Sequence, residues 1–430
     1  MVTGAIFGLL VLLMFLGVPI AVSMALTAIL SFLMLGGPDL LVMVPQRMYS
    51  GTTSFTLLAI PFFILAGNLM NTGGITVRLI HFAQCLVGHI RGGLGHVTVV
   101  TNMIMAGMSG AAVADAVGTG NILIPAMEKA GYPRVFSAAL VGAAATIGPI
   151  IPPSIPFVIF GSMTGTSVGR LFLGGFLPGV LMGLLLMITV AILSKKRGYP
   201  RERRATLGEL AWATVNAAPA WGSPLIIIGG ILAGIFTPTE AAAVASIYAL
   251  LVGMFVYREI RLADLPRILW ETVRNSVQVM FIIASASVFG WLLIQQQVPT
   301  KVVEGLTALT NERWLVLLIV NLILILLGCF MEGIAIMLLT IPVFMPLVAR
   351  VGVDPVHFGV LMSLNLMIGL LTPPVGMCLY AVSSISKVPI WPLARELGPY
   401  IVALLVCLGL ITYFPWIVVW IPNLVMGTSR

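Results

Sequence analysis

Hydrophobic residues follow one another in long runs along this chain, separated by short breaks rich in basic residues, glycine or proline. Such runs predict membrane-spanning helices, because they are too long and too continuous for the strands of a barrel. In the first half the pattern predicts helices at 3–16, 19–35 and 56–70, and an amphipathic segment at 76–88 edged by Arg78, His81 and His89. An apolar stretch at 92–129 bends at small residues, Gly107-Met-Ser-Gly-Ala-Ala-Val-Ala-Asp115, and carries positive charge at both ends. That combination predicts a hairpin entering and leaving the bilayer on one side. A broken helix at 135–161 and a span at 171–193 follow. The second half runs through 223–236, 240–256, a polar-edged segment at 258–274 and a crossing at 277–294. A second hairpin at 314–350 turns at Gly328-Cys-Phe-Met-Glu-Gly333, before a broken helix at 356–384 and a last span at 401–421.

The two broken helices read Thr146-Ile-Gly-Pro-Ile-Ile-Pro-Pro-Ser154 and Met367-Ile-Gly-Leu-Leu-Thr-Pro-Pro-Val375. Ile147, Gly148, Pro152 and Pro153 recur as Ile368, Gly369, Pro373 and Pro374, 221 positions later. Proline removes a backbone donor and collides with the preceding turn, so carbonyls there lose their helical partners. In lipid such groups persist only where protein or a water-filled cavity satisfies them, and paired broken helices mark the binding sites of secondary transporters. Asp115, Ile124 and Pro125 likewise recur as Glu332, Ile341 and Pro342, and Pro19 as Pro238. The expected organisation is a repeat at 1–193, a basic cytoplasmic linker at 194–219 and a second repeat at 220–430. Five crossings per repeat start the second from the opposite face. The fold class is therefore an all-α integral membrane protein of two inverted repeats with about 10–11 transmembrane segments.

Composition narrows the picture further. Hydrophobic residues make up 60% and charged residues 8%, against roughly 25% charged in a soluble domain, so no water-facing surface could be covered. The net charge of +8 does not point to nucleic acid. Of 22 Lys and Arg, 16 fall in segments that can share one face (78–91, 129–134, 195–204, 258–274, 387–395), the asymmetry of a cytoplasmic side. The first apolar stretch passes residue 19 without a cleavage site, so no cleavable signal peptide is expected. The four cysteines read as packing residues, and His81, His89, His96 and His357 as interfacial, with no metal-ligand spacing. No phosphate loop and no nucleophile–base constellation stand out, so the chain is expected to be no enzyme and to draw on an ion gradient or a partner.

Candidate chemistry gathers at the two hairpin tips and two breaks. Carbonyl clusters there suit Na⁺, and half-helix N-termini suit a carboxylate. Asp115 and Glu332, just past the tips, either coordinate and gate or cap helix starts; for Glu240, in Thr237-Pro-Thr-Glu240, the cap is the stronger reading. Asn102, Asn321 and Asn365 bind substrate or, more in keeping with their setting, bridge helices.

Together these residues resemble the large membrane subunit of tripartite ATP-independent periplasmic (TRAP) transporters. The resemblance rests on Leu57-Leu-Ala-Ile-Pro-Phe-Phe-Ile-Leu-Ala-Gly67, Met108-Ser-Gly-Ala-Ala-Val-Ala-Asp115, Gly148-Pro-Ile-Ile-Pro-Pro-Ser154, Gly234-Ile-Phe-Thr-Pro-Thr-Glu-Ala241 and Leu371-Thr-Pro-Pro-Val-Gly376. It implies a Na⁺-driven, elevator-type importer of an organic acid in the bacterial inner membrane, with Na⁺ as coupling ion and no other cofactor. It further implies a small four-helix membrane subunit, separate from this chain, and a soluble periplasmic substrate-binding protein. Carried over, a first Na⁺ site would use Ser109, Gly110, Ala112, Gly148, Ile151 and Pro152. A second would use Gly328, Glu332, Gly333, Gly369, Thr372 and Pro373. Substrate would sit between them, near Ser109, Asp115, Ser154, Asn365, Thr372 and Gly376. The alternative is a stand-alone Na⁺/carboxylate symporter with no binding protein. A channel would show a continuous polar stripe, which this pattern lacks.

Overall fold

The computed structural model describes residues 2–310 and 312–427, without the side chains of Val2, Pro38 and Ser109. Every regular element among the described residues is helical, and seven helices are long and apolar enough to cross a bilayer. Helices satisfy their own backbone, the requirement lipid imposes.

One group of helices forms a scaffold. Ala59–Thr72 crosses Pro238–Leu251 closely, because the latter presents Ala241, Ala242, Ala245 and Ala249 to the contact. Two hydroxyls tie the crossing: Thr239 donates to the Phe55 carbonyl (3.0 Å) and Ser246 to the Phe62 carbonyl (2.8 Å). Leu265–Gln295 packs along both Ile20–Gly36 and Ala59–Thr72. At the basic end Arg78 pairs with Glu259 (3.3 Å) and lies 4.1 Å from the Tyr257 ring centroid.

A second group holds the hairpins and breaks. The first hairpin has arms Gly93–Ser109 and Ala112–Lys129, and the first broken helix has halves Arg134–Ala145 and Ile155–Thr164. The second hairpin has arms Arg313–Gly328 and Gly333–Arg350, and the second broken helix has halves Pro355–Gly369 and Met377–Ser386. The Pro152–Pro153 and Pro373–Pro374 peptide bonds are both cis. The halves are exchanged across the group: Ile155–Thr164 packs on the second hairpin and Met377–Ser386 on the first. Ile155–Thr164 also touches the first half of the second broken helix, where Phe160 meets Phe358 at 6.3 Å between centroids.

Several expected boundaries shift. Of the linker 194–219, only residues 198–206 lie outside helices. Thr206 and Glu209 form a capping box that starts helix Leu207–Leu232 well before its most apolar stretch. The segment 258–274 and the crossing 277–294 belong mostly to one helix, Leu265–Gln295, since nothing between Arg274 and Val277 breaks it. The last span starts earlier, as Ile390–Tyr413, and Pro415 separates it from Trp416–Met426. Helices Met43–Thr52 and Val298–Leu309 were not anticipated. His96 and His357 are buried rather than interfacial. His357 donates from Nε2 to the Ile411 carbonyl at 2.7 Å, a partner supplied by a helix distant in sequence. Glu240 is a cap: its carboxylate accepts from the Thr237 amide at 2.8 Å.

Asn321 and Asn365 bridge helices. The Asn365 amide donates to the carbonyl and Oδ1 of Asn321 (3.0 Å each), and Asn321 donates to Thr412 Oγ1 (3.0 Å). Asn321→Leu leaves buried polar groups without partners, so about 1–3 kcal/mol of stability should be lost. The readout is the thermal midpoint in detergent, and adding Asn365→Leu should restore part of it.

Candidate functional site

Each hairpin tip sits on the break that follows it. Gly110 turns the first tip in the left-handed region (φ 62°), and a Cβ there would stand 2.8 Å from the Pro153 carbonyl oxygen. Only glycine meets both demands. At the second tip Gly328 and Gly369 meet backbone to backbone: a Cβ on Gly328 would stand 2.9 Å from the Gly369 Cα. The Val375 amide donates to the Cys329 carbonyl across the same contact (3.0 Å).

The breaks leave oxygens open. Among the described residues no donor reaches the carbonyls of residues 150–153 or 371–374. Such groups ordinarily find a partner, and a cation or an ordered water supplies one.

The second arms of both hairpins and the second halves of both broken helices begin at one cavity of about 490 Å³. Ala112, Ile155, Gly333 and Met377, the first residues of these four helices, all line it. The aligned peptide dipoles give each N-terminus partial positive charge, equivalent to roughly half an elementary charge per helix. No Lys or Arg is among the described lining residues, and Glu332 is the one carboxylate. Glu332 caps the second arm by accepting from the Ala335 amide at 3.1 Å. The scaffold closes the cavity with Asn68, Asn71, Asn275 and Gln278. A larger groove of about 620 Å³, beside the helix Val2–Phe15, is lined by apolar side chains and Thr340 and has nothing to hold a charge.

The anticipated residues divide accordingly. Gly110, Ala112, Glu332 and Gly333 line the cavity. The Ser109 side chain lies outside the described residues. Gly148 packs against the buried Asp115 carboxylate, Ile151 against Gly179, and the Pro152 carbonyl faces Gly107. Ser154 caps Ile155–Thr164, donating to the Pro149 carbonyl and accepting from the Phe157 amide (3.3 Å). Asn365 is occupied by Asn321. Thr372 returns its hydroxyl to the Ile368 carbonyl (2.9 Å), and Gly376 folds onto the Thr372 and Leu370 carbonyls, with Pro373 between. The four scaffold amides went unnoticed in the sequence. Their signal was there, since Asn68 and Gln278 interrupt runs read as spans.

A helical membrane body whose hairpin tips cover two helix breaks around a shared cavity has the form of a transport permease. The sequence profile of the tripartite ATP-independent periplasmic transporter DctM component matches residues 7–417. The sialic acid TRAP transporter large permease SiaM of Vibrio cholerae is 43% identical, over 99% of this chain and 100% of its own length. The C4-dicarboxylate TRAP transporter large permease DctM of Pseudomonas aeruginosa is also 43% identical, over 93% of this chain and 94% of its own. The crystal structure of the Alcanivorax borkumensis YdaH transporter shares the fold, with a TM-score of 0.61 and 16% identity, covering 89% of this chain and 90% of that one. The chain belongs to the TRAP transporter family as its large permease component, a multi-pass protein of the bacterial inner membrane.

Gly369→Ala drives a Cβ into the Gly328 backbone and should cost about 1–3 kcal/mol while lowering transport. Gly305→Ala, with nothing within 4 Å, should do neither. Thermal midpoints and uptake by the two variants, measured side by side, check this.

Proposed function

We propose that this chain imports an organic acid, coupled to Na⁺ entry, through the cavity between the tips and the scaffold. The observation that carries the reading is the meeting of four helix N-termini at a cavity with no Lys or Arg among its described lining residues. That field favours a carboxylate. Glu332 in the same cavity would repel that anion unless a cation offset it, and the open carbonyls of both breaks offer hard oxygen ligands for Na⁺. The first ion is assigned to the Gly110 tip with residues 148–152, the second to residues 328–333 with 369–373. The relatives named for sialic acid and C4-dicarboxylates support a carboxylate cargo.

The two hairpin and broken-helix sets, in this reading, are inverted repeats moving as one elevator body against the scaffold. The exchanged packing of their halves supports a single body. A further cavity of about 320 Å³ shares Asn68, Asn71, Ala114 and Val117 with the first and extends to Gly74 and Glu271 near the basic end. A path to that side corresponds to a form open to the cytoplasm. A soluble binding protein delivers cargo from the opposite face, and a small membrane subunit braces the scaffold.

The test is uptake of candidate organic acids into proteoliposomes holding this chain and its small subunit, with and without a Na⁺ gradient and the binding protein. Uptake requiring both supports the proposal. Uptake with Na⁺ alone makes the chain a stand-alone symporter, and uptake indifferent to Na⁺ refutes the coupling. Glu332→Gln, which removes the charge a cation offsets, should raise the Na⁺ concentration for half-maximal uptake by about tenfold. An unchanged Na⁺ titration would remove Glu332 from the ion site.

A further inference from the structure

The scaffold wall of the cavity is chemically unlike the wall of tips. Asn68 donates its amide to Thr272 Oγ1 (2.9 Å), which leaves its carbonyl oxygen to the cavity. Asn71 accepts from the Thr76 hydroxyl (3.1 Å), which leaves its NH₂ group available. Asn275 and Gln278, one turn apart on Leu265–Gln295, are exposed and make no hydrogen bond among the described residues. The four together offer donors and acceptors side by side, the complement of hydroxyl groups, which donate and accept at once.

Charge excludes another occupant for this wall. With the cargo carboxylate at the helix N-termini, its far end faces the amides. A second carboxylate there would leave water for a wall without Lys or Arg, with Glu332 in the cavity and Glu271 one turn from Asn275 on the path outward. Desolvating a charge without a partner is unfavourable. An alkyl end would leave the amides unpaired, which is also unfavourable.

We infer that Asn68, Asn71, Asn275 and Gln278 read the uncharged end of the cargo, so that this permease selects hydroxylated monocarboxylates over dicarboxylates and over unsubstituted fatty acids. The inference rests on the anion cavity proposed above. It makes the immobile side of the site a determinant of specificity, separate from whatever the binding protein selects.

The test is equilibrium binding to the permease with its small subunit, in detergent and Na⁺, without the binding protein. Labelled D-gluconate is the probe, with succinate and hexanoate as competitors. Wild type should bind gluconate at least about tenfold more tightly than either competitor. Asn275→Leu combined with Gln278→Leu should weaken gluconate about tenfold, change the other two less than about twofold, and keep the Na⁺ dependence of residual binding. Both positions are exposed, so an unchanged thermal midpoint is expected in the same samples. A wild-type preference for succinate or hexanoate, or a variant that loses all three acids equally, overturns the inference while leaving the anion cavity standing. No Na⁺-dependent binding of any of the three acids overturns the cavity reading itself, and the inference with it.

Discussion

A backbone carbonyl inside a bilayer has no water to turn to, and this constraint organises the molecule. Two Pro-Pro breaks release carbonyls at residues 150–153 and 371–374, where lipid could not tolerate them. Each break is therefore covered by a hairpin tip, and coverage at backbone distance requires glycine: Gly110 over Pro153, Gly328 over Gly369. Once tips and breaks meet, four helices are forced to begin at one place. The same geometry that hides the open carbonyls from lipid gathers positive helix ends around a cavity.

The second consequence is mechanical. Each broken helix resumes against the hairpin of the other set, so Ile155–Thr164 leans on Gly333–Arg350 and Met377–Ser386 on Ala112–Lys129. The two sets are thereby packed into one body. The scaffold is fastened differently, through alanines and hydroxyls at the crossing of Ala59–Thr72 with Pro238–Leu251. At the cavity the two groups meet in part across amides and small residues, with Asn71 facing Gly118.

Much of this was legible in the chain. Proline pairs, small-residue tips and basic loops are local signals, and they located both hairpins, both breaks and the carboxylate cap at Glu240, while Glu332 stayed open between a cap and coordination. Distance in sequence hid the rest. Ser154 looked available because the turn that returns its hydroxyl to the Pro149 carbonyl is set by the break itself, and the partner that makes Asn365 a bridge, Asn321, comes from a helix whose approach no spacing reveals. His357 looked interfacial until the Ile411 carbonyl was brought beside it. The scaffold amides were passed over for the converse reason: a lone Asn or Gln in an apolar run resembles a packing residue until two helices place four of them on one wall. Boundaries moved where a cap outweighed hydropathy, as at Thr206, or where charge marked a helix surface and not its end, as at Arg274.

A hairpin body that moves against the scaffold is tested most directly by joining the two. A Cβ on Gly118 would stand 3.6 Å from Asn71 Oδ1, so Gly118→Cys with Asn71→Cys, in a chain whose four native cysteines are replaced, allows a disulfide or a mercury bridge. Uptake should stop when the bridge forms and return when dithiothreitol removes it. Undiminished uptake by a fully bridged permease would contradict the moving body.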